Sequence, residues 1–345
     1  MSNKLIKTTY SAIGQDQPCY VIAEIGSNHN GNFDLACELI AKAADAKVNA
    51  VKFQTFKASN HYSKYTPHIS LYKESIYDLI EKLEIDRSWH VKLKAECDKH
   101  KIDFLDSPCD QEAVMIAASV KMPIMKVASF DMVDVRLIDL ISRTAPAIMF
   151  SAGMATMSEI ETSVNVARKA GNENIVILQC TSIYPAPVGL SNLKAMETIE
   201  KAFNVIVGYS DHTLGDHISC AAVARGAKVI EKHYTLDRGM TGPDHIFAIE
   251  PHELKDMVSK MRDIELGIGD GIKNGPRAEE MEFYKMARRS ILAARDLAPG
   301  EILKDEDLVI KRPGLGIHPS LIEIVVGKEV RKTIQKDQPI TWQDL

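Results

Sequence analysis

The sequence lacks several features that would define its class at once. Six cysteines are spread over 345 residues without any Cys-x-x-Cys pair, so their spacing predicts reduced thiols and no disulfide framework. No apolar run approaches the roughly 20 residues of a membrane span. The first ten residues also lack the apolar core of a secretion signal. We therefore expect a cytoplasmic protein with no membrane partner.

The short motifs of several large enzyme classes are missing too. There is no GxxxxGK[ST] phosphate loop, no GxGxxG dinucleotide fingerprint and no GxSxG nucleophile elbow. The formal net charge of -5 argues against nucleic acid as a partner. What is present is an ordinary composition, 45% hydrophobic and 26% charged, in a chain long enough for a barrel and a small second domain.

Eight short β-rich apolar runs alternate with longer helical patterns up to about residue 235. The runs begin at Tyr20, Ala50, Asp103, Ile124, Pro146, Ile175, Val205 and Lys228. Steady alternation of strand and helix predicts a parallel sheet, and near-continuous Val, Ile and Leu predicts strands buried on both faces. Eight such units favour an α/β fold of the closed (β/α)8 TIM-barrel type over an open doubly wound sheet. We assign residues 1–280 to this barrel.

The composition changes near Gly267. The segment GIGDGIKNGPR is rich in glycine and charge, and it predicts the loop that leaves the barrel. From about Arg289 onward, short runs are broken by LAPGE, RPGLG and HPS, which predicts a small domain without long helices. We assign residues 281–345 to this second domain.

Polar side chains stand at the predicted C-terminal ends of the barrel strands, which is where the active sites of such barrels lie. They are Glu24, Lys52, Gln54, Ser107, Lys126, Ser129, Ser182, Tyr184, Ser210, His212, Glu231 and His233. A charge among apolar strands costs several kcal/mol unless it is paired or solvated. A ring of salt bridges capping the barrel is one explanation. Contributions from so many strands at one level favour a site for an anion and a metal.

The residue types indicate which ligands such a site would take. His212 and His233 end successive strands, so we expect their imidazoles to meet and to hold a divalent metal, with water or substrate completing its shell. Mn²⁺ is the ion we expect first, with Mg²⁺ or Co²⁺ as alternatives. Lys52 and Lys126, with the neighbouring serines, suit a phosphate and a carboxylate together.

Eight segments, in their order along the chain, resemble the bacterial sialic acid (nonulosonate) synthase family. They are IAEIGSNHNG from Ile22, VKFQTFK from Val51, KVAS from Lys126, SAGMAT from Ser151, QCTSIYPAP from Gln179, GYSDHT from Gly208, EKHYTLDRGMTGPDH from Glu231 and VIKRPG from Val309. The resemblance implies a TIM barrel followed by a C-terminal antifreeze-like domain, of the SAF or β-clip type. It also implies a homodimer in which that domain reaches the partner's site.

The resemblance further implies a reaction, the condensation of phosphoenolpyruvate with N-acetylmannosamine or a related N-acyl amino-hexose aldehyde, releasing phosphate. On this basis His212 and His233 hold the metal, and Glu24 transfers a proton or stabilises cationic character. The residues implied around phosphoenolpyruvate are Lys52, Ser107, Lys126, Ser129, Ser182 and Ser210. Those implied to face the sugar are Gln54, Tyr184, Glu231 and Asp244, with Arg312 reaching across the dimer.

Three departures leave the sugar open. Ser182 stands where synthases that make N-acetylneuraminate often carry Asn, and Met286 stands where some members have an aromatic residue. Residues 60–79, expected to line the sugar pocket, also differ from those members. These features are compatible with a legionaminate-type synthase or a spore-coat polysaccharide homologue.

Two more distant alternatives make different predictions. A 3-deoxy-sugar-phosphate synthase needs a second phosphate site, yet no strand-end arginine cluster stands outside Arg288 and Arg289, apart from Arg238 in the RGM segment. A non-catalytic carbohydrate-binding protein with this fold predicts loss of the polar strand ends, and these are present.

Overall fold

The computed structural model describes residues 4–67 and 74–345. Contacts divide the chain into two compact units, Met1–Gly269 and Asp270–Leu345. The division falls inside the glycine-rich segment that begins at Gly267, where composition predicts the exit from the barrel. No helix of the described residues combines the length and the apolar character needed to cross a membrane.

A short antiparallel hairpin precedes the barrel and closes its N-terminal end. It consists of β1 (Leu5–Lys7) and β2 (Ala12–Gly14). Ile6 and Ile13 pack with the apolar side chains inside the barrel. The sequence analysis does not predict this hairpin, because two strands of three residues are too short to give a recognisable pattern.

Eight parallel strands close into the barrel, in the order β10-β3-β4-β5-β6-β7-β8-β9. They are β3 (Tyr20–Gly26), β4 (Ala50–Thr55), β5 (Asp103–Pro108), β6 (Met125–Val127), β7 (Ile148–Ser151), β8 (Ile175–Cys180), β9 (Ile206–Asp211) and β10 (Val229–His233). Each falls within one of the eight predicted runs. The TIM barrel predicted from the sequence is therefore confirmed.

Helices surround the barrel and connect its strands. They are α1 (Phe33–Asp45), α2 (Ala58–His61), α3 (Ile76–Lys82), α4 (His90–His100), α5 (Gln111–Ser119), α6 (Val135–Thr144), α7 (Met157–Lys169), α8 (Lys194–Phe203), α9 (His217–Ala224) and α10 (Pro251–Ile268). Their starts follow ordinary capping rules. Asn32 caps α1 through its side-chain oxygen, and Thr156 with Glu159 forms a capping box at α7.

The two faces of each strand have different partners because side chains alternate along a strand. One face packs against the helices in the main hydrophobic core. The other fills the barrel with apolar side chains, among them Tyr20, Ile22, Leu105, Ile124, Met149, Leu178, Ile206 and Val229. We call this inner layer, together with the hairpin, the floor. Further along the same strands most inward positions become polar, as at Glu24, Ser107, Lys126, Ser151, Ser210 and Glu231.

The second unit has its own small core. Strands β11 (Ser290–Ala293) and β12 (Leu308–Lys311) pair antiparallel, and the unit contains only the short helices α11 (Met281–Ala287) and α12 (Ile322–Val325). Its buried apolar residues include Ile291, Leu297, Leu303, Ile317, Val330, Ile334 and Ile340. The predicted absence of long helices from this region is correct.

Candidate active site

A polar cavity lies at the C-terminal ends of the strands, and all eight strands contribute to its wall. We call this region the mouth. Its lining consists of Glu24, Lys52, Gln54, Ser107, Lys126, Ala128, Ser129, Phe130, Ser151, Cys180, Tyr184, Ser210, His212, Glu231 and His233. The sequence analysis assigned most of these residues to one site, and the structure brings them together.

Strand register explains why the charged groups meet. Glu24 lies beside Lys52 on the neighbouring strand, and Glu231 lies beside Ser210. The Lys52 ammonium is 2.7 Å from Glu24 Oε2 and donates to Ser107 Oγ at 3.0 Å. These side chains point inward at the same level of the barrel, so neighbouring strands form a continuous polar network.

A second lysine completes this network. Lys126 donates to Glu231 Oε1 at 2.9 Å, and Ser210 donates to the same oxygen at 3.3 Å. Lys52 Nζ is 3.9 Å from that oxygen, which joins the two ion pairs. Gln54 Nε2 donates to Glu24 Oε1 at 2.6 Å. Two lysines and two glutamates are thus held in a nearly dry space, balanced in charge.

The two glutamates differ in their proton affinity. Burial raises the pKa of Glu24 to about 7, a shift that Lys52 opposes and the nearby Glu231 carboxylate reinforces. Burial acts in the same direction on Glu231, but Lys126 and Lys52 outweigh it and lower the pKa of that carboxyl. For Lys52, burial is outweighed by Glu231 and Glu24, which raise its pKa. Glu24 is consequently the carboxyl that can change its protonation state near neutral pH.

The two predicted metal ligands stand together beside this network, with His233 next to Glu24 in the strand register. The ring centroids of His212 and His233 are 5.4 Å apart, and Tyr184 packs over His212 at 4.2 Å. Burial lowers the pKa of His212 to about 4 and that of His233 well below its ordinary value. Both rings are therefore neutral at physiological pH, the form that binds metals.

Hydrogen bonding orients one of these rings. His212 Nδ1 lies 2.8 Å from the carbonyl oxygen of Thr181, which can only accept, so Nδ1 carries the proton. The Nε2 lone pair of His212 is then available to a ligand. His233 Nδ1 lies 3.7 Å from Asp244 Oδ2, and burial raises the pKa of Asp244 to about 6. Asp244 thus borders the histidine pair, on the loop that follows β10.

Several hydroxyl and thiol groups converge around the backbone of Gly153. Its amide donates to Ser129 Oγ at 3.2 Å. A Cβ atom at this position would lie 2.3 Å from Ser182 Oγ, 2.9 Å from Ser129 Oγ and 3.3 Å from Cys180 Sγ. Any side chain would therefore displace this cluster, and glycine is required for the close approach.

Several of the buried polar atoms that lack a hydrogen-bond partner lie in this region. Within the described chain, Ser151 Oγ, Ser182 Oγ, Glu231 Oε2 and His233 Nδ1 are buried without a hydrogen-bond partner. An unsatisfied buried polar atom costs about 1–3 kcal/mol, so such groups are uncommon unless they serve a ligand. Four of them around one cavity indicate that it binds a polar molecule.

A buried ion pair supports the histidine loops from the outer face of the strands. Lys232 lies beside Asp211 in the strand register and donates to Asp211 Oδ2 at 2.9 Å. Asp211 also accepts from Ser219 Oγ at 2.6 Å and from the Thr213 amide at 2.8 Å. Each member of the pair immediately precedes one of the site histidines, so the pair fixes the backbone on which both histidines stand.

Two sequence predictions concern residues that are not among those lining this cavity. Arg312 lies in the second unit, exposed, directly after β12. The segment 60–79 contains the end of α2 and the start of α3, but its residues 68–73 lie outside the described part of the chain.

Sequence reasoning missed Ser151, Cys180 and the pair of Asp211 with Lys232. Ser151 and Cys180 are small residues of types that often end strands, so only their inward register at the level of Lys126 reveals them. The ion pair of Asp211 with Lys232 could have been predicted, because both residues are charged and lie within runs whose other residues predict buried strands.

Comparison with protein families identifies both parts of the chain. Residues 39–273 match the model of the NeuB family, and residues 288–345 match the SAF domain. The first match covers more than half of the chain and spans most of the barrel. The second covers β11, β12 and the core of the second unit.

Individual relatives extend over nearly the whole length. N,N'-diacetyllegionaminic acid synthase of Campylobacter jejuni is 42% identical over 328 residues, which cover 93% of this chain and 98% of that protein. The crystal structure of N-acetylneuraminic acid synthetase from Leptospira borgpetersenii, in complex with citrate, superposes with a TM-score of 0.75 at 33% identity, over 81% of this chain and 95% of that one. The spore coat polysaccharide biosynthesis protein SpsE of Bacillus subtilis superposes with a TM-score of 0.69 at 32% identity, over 99% of both chains.

Proposed function

The chain belongs to the NeuB family and ends in a SAF domain, and we propose that it condenses phosphoenolpyruvate with an N-acyl amino-hexose aldehyde, releasing phosphate. The observation that carries the proposal is the pairing of two features in one mouth. A network of two lysines and two glutamates lies beside two neutral histidines. The network suits an anionic enol phosphate, and the histidines suit a metal that activates an aldehyde.

Phosphoenolpyruvate binds against the lysine network in this proposal. Its phosphate and carboxylate together are strongly anionic, and Lys52 with Lys126 supplies two cations inside a site of low dielectric. The hydroxyls of Ser107, Ser129, Ser151, Ser182 and Ser210 supply neutral donors. Among these five serines, Ser151 and Ser182 have buried hydroxyls without a hydrogen-bond partner, so these two are available to the ligand.

The histidine pair fits a divalent cation, Mn²⁺ first and Mg²⁺ or Co²⁺ as alternatives. His212 keeps its proton on Nδ1 through Thr181 and offers Nε2, while His233 has an unpaired buried Nδ1. When bound there, the ion supplies Lewis-acid polarisation of the aldehyde oxygen. Two protein ligands leave positions for substrate oxygen and water.

The carbon–carbon bond forms when C3 of phosphoenolpyruvate attacks the aldehyde carbon, whose oxygen becomes the hydroxyl at C4 of the product. Positive charge then develops at C2, where the Glu24 carboxylate stabilises it electrostatically. Water adds at C2, and cleavage of the bond between C2 and the bridging oxygen releases phosphate and leaves the 2-keto acid. Lys52 and Lys126 stabilise the charge that builds on the departing phosphate.

Glu24 acts as the base that accepts the proton from the attacking water. Because its pKa is near 7, the carboxyl exchanges a proton at physiological pH without a large energetic cost. Anionic substrate competes with Glu24 for Lys52, which weakens the contact that holds the carboxyl ionised. Substrate binding therefore increases the basicity of Glu24 at the point where a base is needed.

The sugar lies on the histidine side, against Gln54, Tyr184, Glu231 and Asp244. We propose a 2,4-diacetamido-6-deoxy hexose as the sugar to test first, with N-acetylmannosamine second. The 42% identity to a diacetyllegionaminic acid synthase supports that order. So does Ser182, which replaces the Asn often present in N-acetylneuraminate synthases.

Arg312 completes the sugar site from a second chain in this proposal. It is exposed on the second unit, and guanidinium groups suit hydroxyl and carboxylate recognition. The active unit is then a homodimer. Activity per chain should fall when the protein is diluted below the dimer dissociation constant.

The test is phosphate release from phosphoenolpyruvate with Mn²⁺, comparing the diacetamido hexose, N-acetylmannosamine and a phosphorylated pentose, with product mass recorded. Turnover with an unphosphorylated amino sugar, abolished by a chelator and restored by Mn²⁺, is the expected result. Turnover with the phosphorylated pentose alone would contradict the proposal and would indicate a 3-deoxy-sugar-phosphate synthase instead. Lack of turnover with all three would contradict the proposal for these substrates.

A further inference from the structure

A second group of metal-binding side chains lies outside the lining of the mouth. Within residues 4–67 and 74–345, His61, Cys109 and Asp131 are the group of three such residues whose ligand atoms all lie within 4.8 Å of one another. His61 Nδ1 is 3.9 Å from Asp131 Oδ1, and Cys109 Sγ is 3.8 Å from Asp131 Oδ2. None of the three has a role in the proposed reaction.

Three successive barrel connections bring these residues together. His61 ends α2 after β4, Cys109 follows β5, and Asp131 ends the helical turn that begins at Ser129 after β6. The three sites are 48 and 22 residues apart in sequence, so the closed barrel alone creates their proximity. All three side chains are half-buried, which leaves solvent a path to the cluster.

The donor set selects among cations. Thiolate, imidazole and carboxylate together are typical ligands of Zn²⁺, whereas Mg²⁺ and Ca²⁺ prefer oxygen alone. In a tetrahedral zinc site with bonds of about 2.0–2.3 Å, ligand atoms stand about 3.3–3.8 Å apart. The 3.9 and 3.8 Å separations to Asp131 are close to this range, and ligand atoms that lie within 4.8 Å of one another reach it by closing at most about 1.5 Å through side-chain adjustment.

The surroundings of the cluster also favour a cation. The Cys109 thiol has two acceptors within reach, the Ser107 carbonyl oxygen at 3.5 Å and Asp131 Oδ2 at 3.8 Å, and the His61 ring stacks on Phe56 at 6.2 Å with an interplanar angle of 17°. A divalent cation would neutralise the charge of the Asp131 carboxylate and would displace the thiol proton to solvent.

We propose that His61, Cys109 and Asp131 form a second cation site, which takes Zn²⁺ with three protein ligands and one exchangeable position. The ion joins α2 to the ends of β5 and β6, beside Ser107 and Ser129. It therefore ties the connection after β4, which holds residues 60–79, to the side of the mouth where phosphoenolpyruvate is proposed to bind.

The test uses Co²⁺ as a spectroscopic substitute for Zn²⁺, with the full chain first freed of metal by dialysis against a chelator. Coordination of Co²⁺ by a thiolate gives a charge-transfer band in the near ultraviolet, which Zn²⁺ should then abolish by displacement. We expect this band to saturate at one equivalent per chain in the wild type. Cys109→Ser should remove it, and Asp131→Asn should weaken Co²⁺ binding at least about tenfold.

Three controls separate this site from others. Cys37→Ser, which removes a half-buried thiol on α1, should keep the band. Cys180→Ser should also keep it, although Cys180 Sγ lies 3.8 Å from His212 Nδ1 in the mouth. His212→Ala should leave the band unchanged while lowering any additional Co²⁺ stoichiometry, so the result does not depend on the proposed function.

Several outcomes would overturn the proposal. They are a wild-type chain without the band, a band that persists in Cys109→Ser, and a band that Cys180→Ser removes. Circular dichroism checks that Cys109→Ser is folded. If Cys109→Ser is unfolded, the Co²⁺ affinity of Asp131→Asn tests the site instead. An affinity equal to that of the wild type would refute the site.

Discussion

The two ends of the barrel differ in how far their buried polar groups are hydrogen-bonded within the chain. At the floor, Asp103 is buried, but it accepts from the amides of Thr9 and Tyr10 and from the Tyr20 hydroxyl, at 2.9, 3.2 and 2.7 Å. At the mouth, Ser151, Ser182, Glu231 and His233 retain unpaired buried atoms. A satisfied polar group stabilises the fold, whereas an unsatisfied one is available to a ligand.

The hairpin and the βα connections account for this difference. The hairpin encloses the floor permanently, so each of its polar groups must find a partner within the chain. The mouth is enclosed only in part by the connections that follow the strands. Its polar groups are arranged for a molecule that arrives from solvent. The comparison predicts that substitutions at the mouth change activity and that substitutions at the floor change stability.

The largest effect is expected for His212→Ala at the mouth. Removal of a proposed metal ligand should lower kcat about 1,000-fold, equivalent to about 4 kcal/mol, because aldehyde activation is lost. The melting temperature should fall by only a few degrees, because the ring contributes few interactions to the fold. Phosphate release and thermal unfolding measure the two quantities. Activity within tenfold of wild type would remove His212 from the site.

Asp103→Ala should show the reverse pattern at the floor. Three donors lose their acceptor in a buried place, so the free energy of unfolding should fall by about 3 kcal/mol. The kcat of the folded fraction should stay within about twofold, because the floor does not touch substrate. Urea denaturation gives the stability. Asp103→Asn is the matched control and should lose less, since its amide oxygen still accepts.

His29, a buried residue in the loop that follows β3, allows a test of stability against pH; its Nδ1 accepts from the Gly31 amide at 3.1 Å. Burial lowers the pKa of His29 to about 4 from an ordinary 6.5, so the folded chain holds it neutral while the unfolded chain protonates it. The free energy of unfolding should therefore fall as pH drops from 6.5 toward 4. The contribution of this residue is at most about 3 kcal/mol. Urea denaturation of His29→Gln across this range should show a shallower decline than wild type. Identical slopes would contradict the assignment.

The smallest effect concerns the second unit. If Arg312 contacts the sugar across a dimer, Arg312→Ala should raise the KM for the sugar about tenfold, or about 1.4 kcal/mol. The KM for phosphoenolpyruvate should stay unchanged. The neighbouring Lys311→Ala removes a charge of the same sign, and as a control it should alter neither value. Equal losses for both substrates would point to a general structural role.

Much of the barrel was predictable because its signals are local. A strand buried on both faces reads as an unbroken apolar run, as from Ile175, and alternation within the strand indicates which residues point inward. Lys52, Lys126 and Glu231 were noticeable because charge is costly in such runs. The hairpin was not predictable, because three residues contain too little periodicity.

The sequence by itself determined the eight strands, the change of domain near Gly267 and the inward charged residues, because each depends on neighbours within a few positions. Only the tertiary structure decided which groups are paired. It gave the Asp103 carboxylate its hydrogen-bond donors at the floor and left the hydroxyls of Ser151 and Ser182 unpaired at the mouth. It also brought His61, Cys109 and Asp131 within reach of one cation. Such pairing depends on strand register and barrel closure, which join residues that are distant along the chain.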